Sequence, residues 1–152
     1  MKKLFIFLSI FFAFSSIVLA QRTSVSGKEV TGTFRSYFKG KYKGNYNQVK
    51  ILAIGDGKLK VGFDLTYPHT DNTGQLTANT GVASGTAEIT GDTAIFKPDG
   101  TEKCTITIKF VKLGQIKITE DGSDSGCGFG FNVTSDGTYT KVSGAKPKFE
   151  AL

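Results

Sequence analysis

Histidine occurs once, at His69, cysteine twice, at Cys104 and Cys127, and tryptophan not at all in the 152 residues. Two cysteines and a lone histidine fall short of the four ligands of a structural zinc site, and no cofactor-binding motif is present. Neither a metal nor a cofactor is expected. Acidic residues are scarce in the first third, where Arg22, Lys28, Arg35, Lys39, Lys41, Lys43, Lys50, Lys58 and Lys60 face only Glu29 and Asp56. Sustained helical periodicity is missing after residue 20, and no repeat recurs.

The one long apolar run is amino-terminal. Lys2 and Lys3 precede Leu4-Phe5-Ile6-Phe7-Leu8, and the run continues to Ile17-Val18-Leu19-Ala20. A basic segment, an apolar segment and small residues at Val18 and Ala20 are the order of a signal peptide cleaved after Ala20. No cysteine follows to carry a lipid. Residues 1–20 are therefore read as a signal peptide and residues 21–152 as a single domain, secreted or periplasmic, with no transmembrane segment in the mature protein. Loss of Lys2 and Lys3 lowers the formal charge from +6 to +4. An exported protein of such modest charge is not read as a nucleic-acid binder.

An oxidising compartment makes a Cys104–Cys127 disulfide the expected fate of the only two cysteines. Closing a loop of that length stabilises a fold by about 3 kcal/mol in the chain-entropy description.

Past the leader the pattern is that of strands. Glu29–Phe38 is rich in β-branched and aromatic residues and reads as the first strand. Leu59, Val61, Phe63 and Leu65 alternate with Lys60, Gly62, Asp64 and Thr66, and Gly55-Asp56-Gly57 joins this run to Tyr46–Ile54 as a hairpin. Pro68 closes it. Residues 68–84, with few apolar positions, read as a long mobile loop. Gly85–Lys97 forms a second hairpin around Gly91-Asp92, and Pro98-Asp99-Gly100 is a turn. Lys103–Val111 is the clearest strand, with Cys104, Ile106, Ile108 and Phe110 on one face. Cys127, Phe129, Phe131 and Val133 share a parity and read as a further strand, with glycines opposite that admit a close neighbour. Asp136–Val142 is the last. The fold class is all-β: a single antiparallel β-barrel or β-sandwich of about eight strands.

No catalytic constellation emerges, and the protein is read as not an enzyme. His69 stands beside Asp71 with no serine or free thiol marked out to complete a triad. Asp121 and Asp124 are two carboxylates in one polar loop without an apolar pocket to separate their pKa values. Asp121-Gly122-Ser123-Asp124-Ser125-Gly126 has the oxygen spacing of a calcium loop, but Asn132 occupies the position of the bidentate glutamate. The Asn132-Val133-Thr134 sequon matters only in a eukaryotic source.

What remains is a surface for a partner. Arg35, Tyr37, Lys39, Lys41, Tyr42, Lys43 and Tyr46 interleave aromatic area with positive charge, suited to an anionic envelope polymer. A monomeric, non-catalytic binding protein is the leading expectation.

The stretch from Cys104 through Cys127-Gly128-Phe129-Gly130-Phe131-Asn132-Val133 to Gly137-Thr138-Tyr139 resembles a pattern in small exported bacterial β proteins. That likeness implies export, a disulfide and a β fold, and carries no activity. Gly137-Thr138-Tyr139-Thr140-Lys141 is similar, more loosely, to part of the signature of periplasmic lysozyme inhibitors, with Val142 where those have glycine. This second likeness implies inhibition of a secreted hydrolase, here through the loop Gly122, Ser123, Asp124, Ser125 and Gly126. The Gly-x-Trp hallmark of lipocalins has no counterpart.

Overall fold

The computed structural model describes residues 24–101, 103–122 and 126–149. Residues 1–20, read from sequence as a signal peptide, Arg22 and the loop residues Ser123, Asp124 and Ser125 lie outside the described residues.

Eight antiparallel strands close into one barrel in which each strand pairs with its sequence neighbours and the last pairs with the first. They are β1 (Gly32–Tyr37), β2 (Tyr46–Gly55), β3 (Lys58–Thr70), β4 (Leu76–Thr90), β5 (Thr93–Phe96), β6 (Thr105–Lys112), β7 (Gln115–Asp121) and β8 (Gly137–Ser143). Closure through β1 and β8 leaves the meander without an outer edge strand, and this distinguishes it from a sandwich.

Alternation sets which side chains enter the lumen. Leu59, Val61, Phe63 and Leu65 of β3 and Ile106, Ile108 and Phe110 of β6 are buried, and Phe34, Val49, Ile51, Ile116, Ile118 and Tyr139 join them from the other strands. Aromatic rings fill the centre, with Phe63 stacked on Phe96 at 5.4 Å and Phe34 edge-on to Phe110 at 6.5 Å.

The segment 68–84 is the largest departure from the sequence reading. It is not a loop. β3 runs through Pro68 to Thr70, and β4 begins at Leu76 in unbroken register with it, from Thr70↔Leu76 to Lys58↔Glu88. The inward positions of β4 are Gly81, Ala83, Gly85 and Ala87, which carry no apolar bulk for a periodicity to register. They are small because the rings opposite are large: a Cβ on Gly81 would lie 2.9 Å from Phe129 Cβ, and one on Gly85 2.9 Å from Phe96 Cε2.

The outer part of this β3–β4 pair extends beyond the barrel, because β2 pairs with β3 only as far as Asp64 and β5 with β4 only from Ala87. The β3 edge is guarded where it projects. Thr66 N donates to Asn47 Oδ1 at 2.7 Å, Pro68 has no N–H to offer, and Lys41 Nζ donates to Thr70 Oγ1 at 3.2 Å.

Two further corrections concern the ends of elements. Glu29 and Val30 are not strand: Ser26 caps a single helical turn, α1 (Gly27–Val30), with Ser26 Oγ accepting from Glu29 N and Glu29 Oε2 accepting from Ser26 N. Residues 126–133 are not strand either. Asn132 has φ 60° and Gly128 φ 77°, conformations that break a ladder. The shared parity fails with them, since Cys127, Phe129 and Val133 are buried while Phe131 is 77% exposed.

Candidate functional site

Up-and-down connectivity puts alternate connections at opposite ends of the barrel. One end carries the two-residue turns Asp56-Gly57, Gly91-Asp92 and Leu113-Gly114, together with α1, whose Val30 is buried. The other end carries every long connection: residues 38–45, the projecting β3–β4 ribbon, residues 97–104 and residues 122–136. Long connections carried on a rigid frame are where binding surfaces arise.

The disulfide joins two of these loops. Cys104 and Cys127 are bonded, with Cα atoms 4.9 Å apart, as expected from the sequence. Both are buried, so the bridge belongs to the core and pins residues 126–133 against the ribbon. Phe129 then packs on Phe63 at 6.0 Å, and Asn79 Nδ2 donates to the Phe131 carbonyl at 2.7 Å. Gly130 allows this approach, because a Cβ there would lie 2.8 Å from the Thr80 carbonyl oxygen. Of the two glycines expected to admit a close neighbour, Gly130 does so, whereas Gly128 meets only the Thr101 side chain at 3.6 Å.

Glu120 closes the far side of the loop. Its Oε2 accepts from Thr134 Oγ1 (3.2 Å), Ser135 N (2.8 Å) and Ser135 Oγ (2.9 Å), while Asp136 Oδ1 accepts from Glu120 N at 2.6 Å. Sequence reasoning missed Glu120. The signal available was a carboxylate beside the Thr134-Ser135 pair, distant in sequence and meaningful only once β7 and β8 are neighbours.

The predicted partner surface is gathered on the first hairpin. Tyr37 and Tyr46 are cross-strand partners with rings 5.6 Å apart and edge-on. The Arg35 guanidinium lies 3.9 Å from the Tyr46 ring centre, and Arg35 Nε donates to Gln48 Oε1 at 2.9 Å. Beyond them a 3-10 turn, Gly40–Tyr42, lifts the connection, and Lys41 Nζ lies 4.9 Å from the Tyr42 ring. Lys39, Lys41 and Lys43 are exposed, Tyr37 is 54% exposed, and Arg35, Tyr42 and Tyr46 are half-buried. No acidic residue occurs in the sequence between Glu29 and Asp56, and Asp64 stands in the outward row of Arg35, across Gln48.

The other candidates are placed differently. His69 is on β3, stacked on Tyr67 at 5.8 Å, with Nδ1 3.3 Å from the Tyr67 carbonyl. Asp71 turns away into the ribbon tip, where Oδ1 accepts from Thr73 Oγ1, Thr73 N and Gln75 N at 2.7–2.9 Å. The Thr73 hydroxyl, then the Gln75 amide, hold its carboxyl below the ordinary aspartate range. Asp121 ends β7, opposite Thr105, and Gly122 and Gly126 flank the undescribed loop residues. Among the described residues no three His, Cys, Asp or Glu side chains converge to hold a metal ion, and no helix is long and apolar enough to cross a membrane.

The outer wall of the described residues carries grooves, of which two bear on the strands above. One, of about 250 Å³, is lined chiefly by Lys50, Gly62, Asp64, Val82, Ser84 and Phe149. The carboxy-terminal tail makes its rim: the Phe149 ring lies over Gly62, whose Cβ would be 3.2 Å from it, and Lys60 Nζ lies 4.9 Å from the ring. The other, of about 520 Å³, runs over Thr86, Glu88, Thr90, Thr93, Ile95 and Lys97.

No known protein family, curated protein or solved structure matches this chain.

Proposed function

We propose that this is an exported, monomeric and non-catalytic binding protein that engages an anionic component of the cell envelope through the basic, aromatic hairpin of β1 and β2. The observation that carries the reading is the cluster of Arg35, Lys39, Lys41 and Lys43, in a stretch of sequence without an acidic residue, with Arg35 and Lys41 each held over a tyrosine ring. Cations positioned by rings lose less freedom on meeting an anion than cations on free side chains.

The test is a pull-down of the oxidised mature domain against its envelope fraction over a salt series. Salt-sensitive capture, lost in Lys41→Glu/Lys43→Glu, is expected. Capture that ignores both salt and the double reversal would overturn this surface.

A second reading rests on the bridged loop. Phe131 is displayed four residues after Cys127, in a segment braced by the disulfide and by Asn79. A preorganised loop with a protruding side chain suits a protein inhibitor of a secreted hydrolase such as lysozyme. Stoichiometric loss of lysozyme activity would move this reading ahead of the first.

A further inference from the structure

We infer that the hairpin is one end of a longer cation track along the outer wall of β1, β2 and β3, and that its ligand is a linear acidic polysaccharide. This inference rests on the binding reading above and extends it to residues remote from the hairpin.

Register defines the track. Residues of one parity face outward, and partners across the ladder stand side by side. The outward rows read Tyr37–Tyr46, then Arg35–Gln48–Asp64, then Thr33–Lys50–Gly62–Ser84, then Leu52–Lys60–Thr86. Successive rows are two residues, or roughly 7 Å, apart. Arg35, Lys50 and Lys60 therefore descend the wall at about one cation per row, below Lys39, Lys41 and Lys43 at the hairpin tip. Asp64 is the one carboxylate in these rows.

The groove of about 250 Å³ opens in the third row, between Lys50 and Phe149. The Phe149 ring takes the space over Gly62, so the depth left for a chain lies beside the ring, against Lys50, Asp64 and Ser84.

Three ring–cation pairs occur on this surface: Lys41 over Tyr42, Arg35 over Tyr46 and Lys60 over Phe149. Each of the three rings gives one face to its own cation, while Tyr37, 54% exposed and edge-on to Tyr46, has none. One such ring does not make the run of platforms on which successive nucleobases stack, the main non-electrostatic term for single-stranded nucleic acid, and the three paired rings serve another purpose. They fix positive charge in a line. A row of fixed cations on a convex wall suits a flexible linear chain with charge repeated along it. A flat bilayer would meet only part of such a wall.

The test uses polygalacturonate and its oligomers as probes, with single-stranded DNA and phosphatidylglycerol vesicles as competitors. Affinity for the oligomers is expected to rise with chain length until the chain spans the track, and to fall steeply with salt. Lys50→Glu/Lys60→Glu, outward-facing changes that leave the lumen untouched, should weaken polygalacturonate binding at least tenfold with an unchanged circular dichroism spectrum. Phe149→Ala, which frees Lys60, should weaken it less. Unchanged affinity in Lys50→Glu/Lys60→Glu overturns the track. So does tighter binding of DNA or of the vesicles. If Lys41→Glu/Lys43→Glu abolishes envelope capture while Lys50→Glu/Lys60→Glu does not, the track fails and the hairpin reading stands. If the wild type captures nothing from the envelope, the hairpin reading itself fails.

Discussion

The ammonium of Lys141, on β8, donates to the carbonyl oxygens of Glu29 at 2.5 Å and Thr31 at 2.9 Å, more than a hundred residues earlier in the chain. Lys28 O is a third acceptor at 3.2 Å. These are carbonyls of α1 and its carboxy-terminal cap, which one helical turn cannot satisfy internally. Lys141 thus holds the plug in the short-turn end of the barrel, with its ammonium 5.2 Å from the Phe34 ring. Lys141→Met should lower stability by about 1–2 kcal/mol, after allowance for solvent screening of a partly exposed group. Urea denaturation measures this. An unchanged midpoint would show the contacts to be energetically silent.

Removing the bridge should be costlier. Cys104→Ala/Cys127→Ala frees a loop closed across a separation of 23 residues, worth about 3 kcal/mol. The midpoint should drop accordingly, and hydrogen exchange should quicken first in residues 126–133. A uniform quickening along the chain would contradict the role of the bridge as a local staple.

Gly85 and Phe96 form a size-matched pair. Gly85→Val places atoms 2.9 Å from the Phe96 ring and should destabilise by roughly 1–3 kcal/mol through overpacking. Phe96→Leu in the same chain should recover part of that loss. Strictly additive effects in the double-mutant cycle would argue against the pairing.

Tyr139 supplies a pH dependence. Burial pushes its phenol pKa well above the ordinary value; a hydrogen bond with Asn47 draws it part of the way back, and the nearby Asp136 and Glu120 charges push it up. A raised folded-state pKa means that the native form keeps a proton the unfolded chain releases above about pH 10. Its contribution is complete below that pH and is lost as pH rises further. Lys141 acts oppositely. Burial lowers its pKa, partly offset by Glu29, so the unfolded chain holds the extra proton just below the ordinary lysine value and stability rises with pH there. Tyr139→Phe should cost about 1 kcal/mol near neutrality, through loss of the bond to the Ser135 carbonyl, and should flatten the alkaline decline. A decline as steep in Tyr139→Phe as in the wild type would assign it to other groups.

The short-range features were legible. Alternation in β3 and β6, the glycine turns at 56–57, 91–92 and 113–114, and the pairing of the only two cysteines are properties of neighbouring residues or of composition. They hold in any compact β fold. The run 68–84 was illegible for a physical reason: its inner face is glycine and alanine, and small residues mark a core position only when the ring that fills the space is known. α1 was hidden by its length, since one turn carries no period, although Ser26 and Glu29 at capping-box spacing were there to be seen.

The basic hairpin could be named from sequence because its seven residues lie within a dozen positions. Lys50, Lys60 and Phe149 could not be joined to it, because their adjacency depends on strand register and on where the tail crosses. Sequence by itself therefore determined a disulfide-bearing, antiparallel β protein with a cationic first third. The tertiary structure decided that β1 meets β8 to make a barrel rather than a sandwich. It also decided that the long connections share one end, and that scattered lysines form a line. Alternation is the same in a barrel and in a sandwich, and only long-range pairing chooses between them.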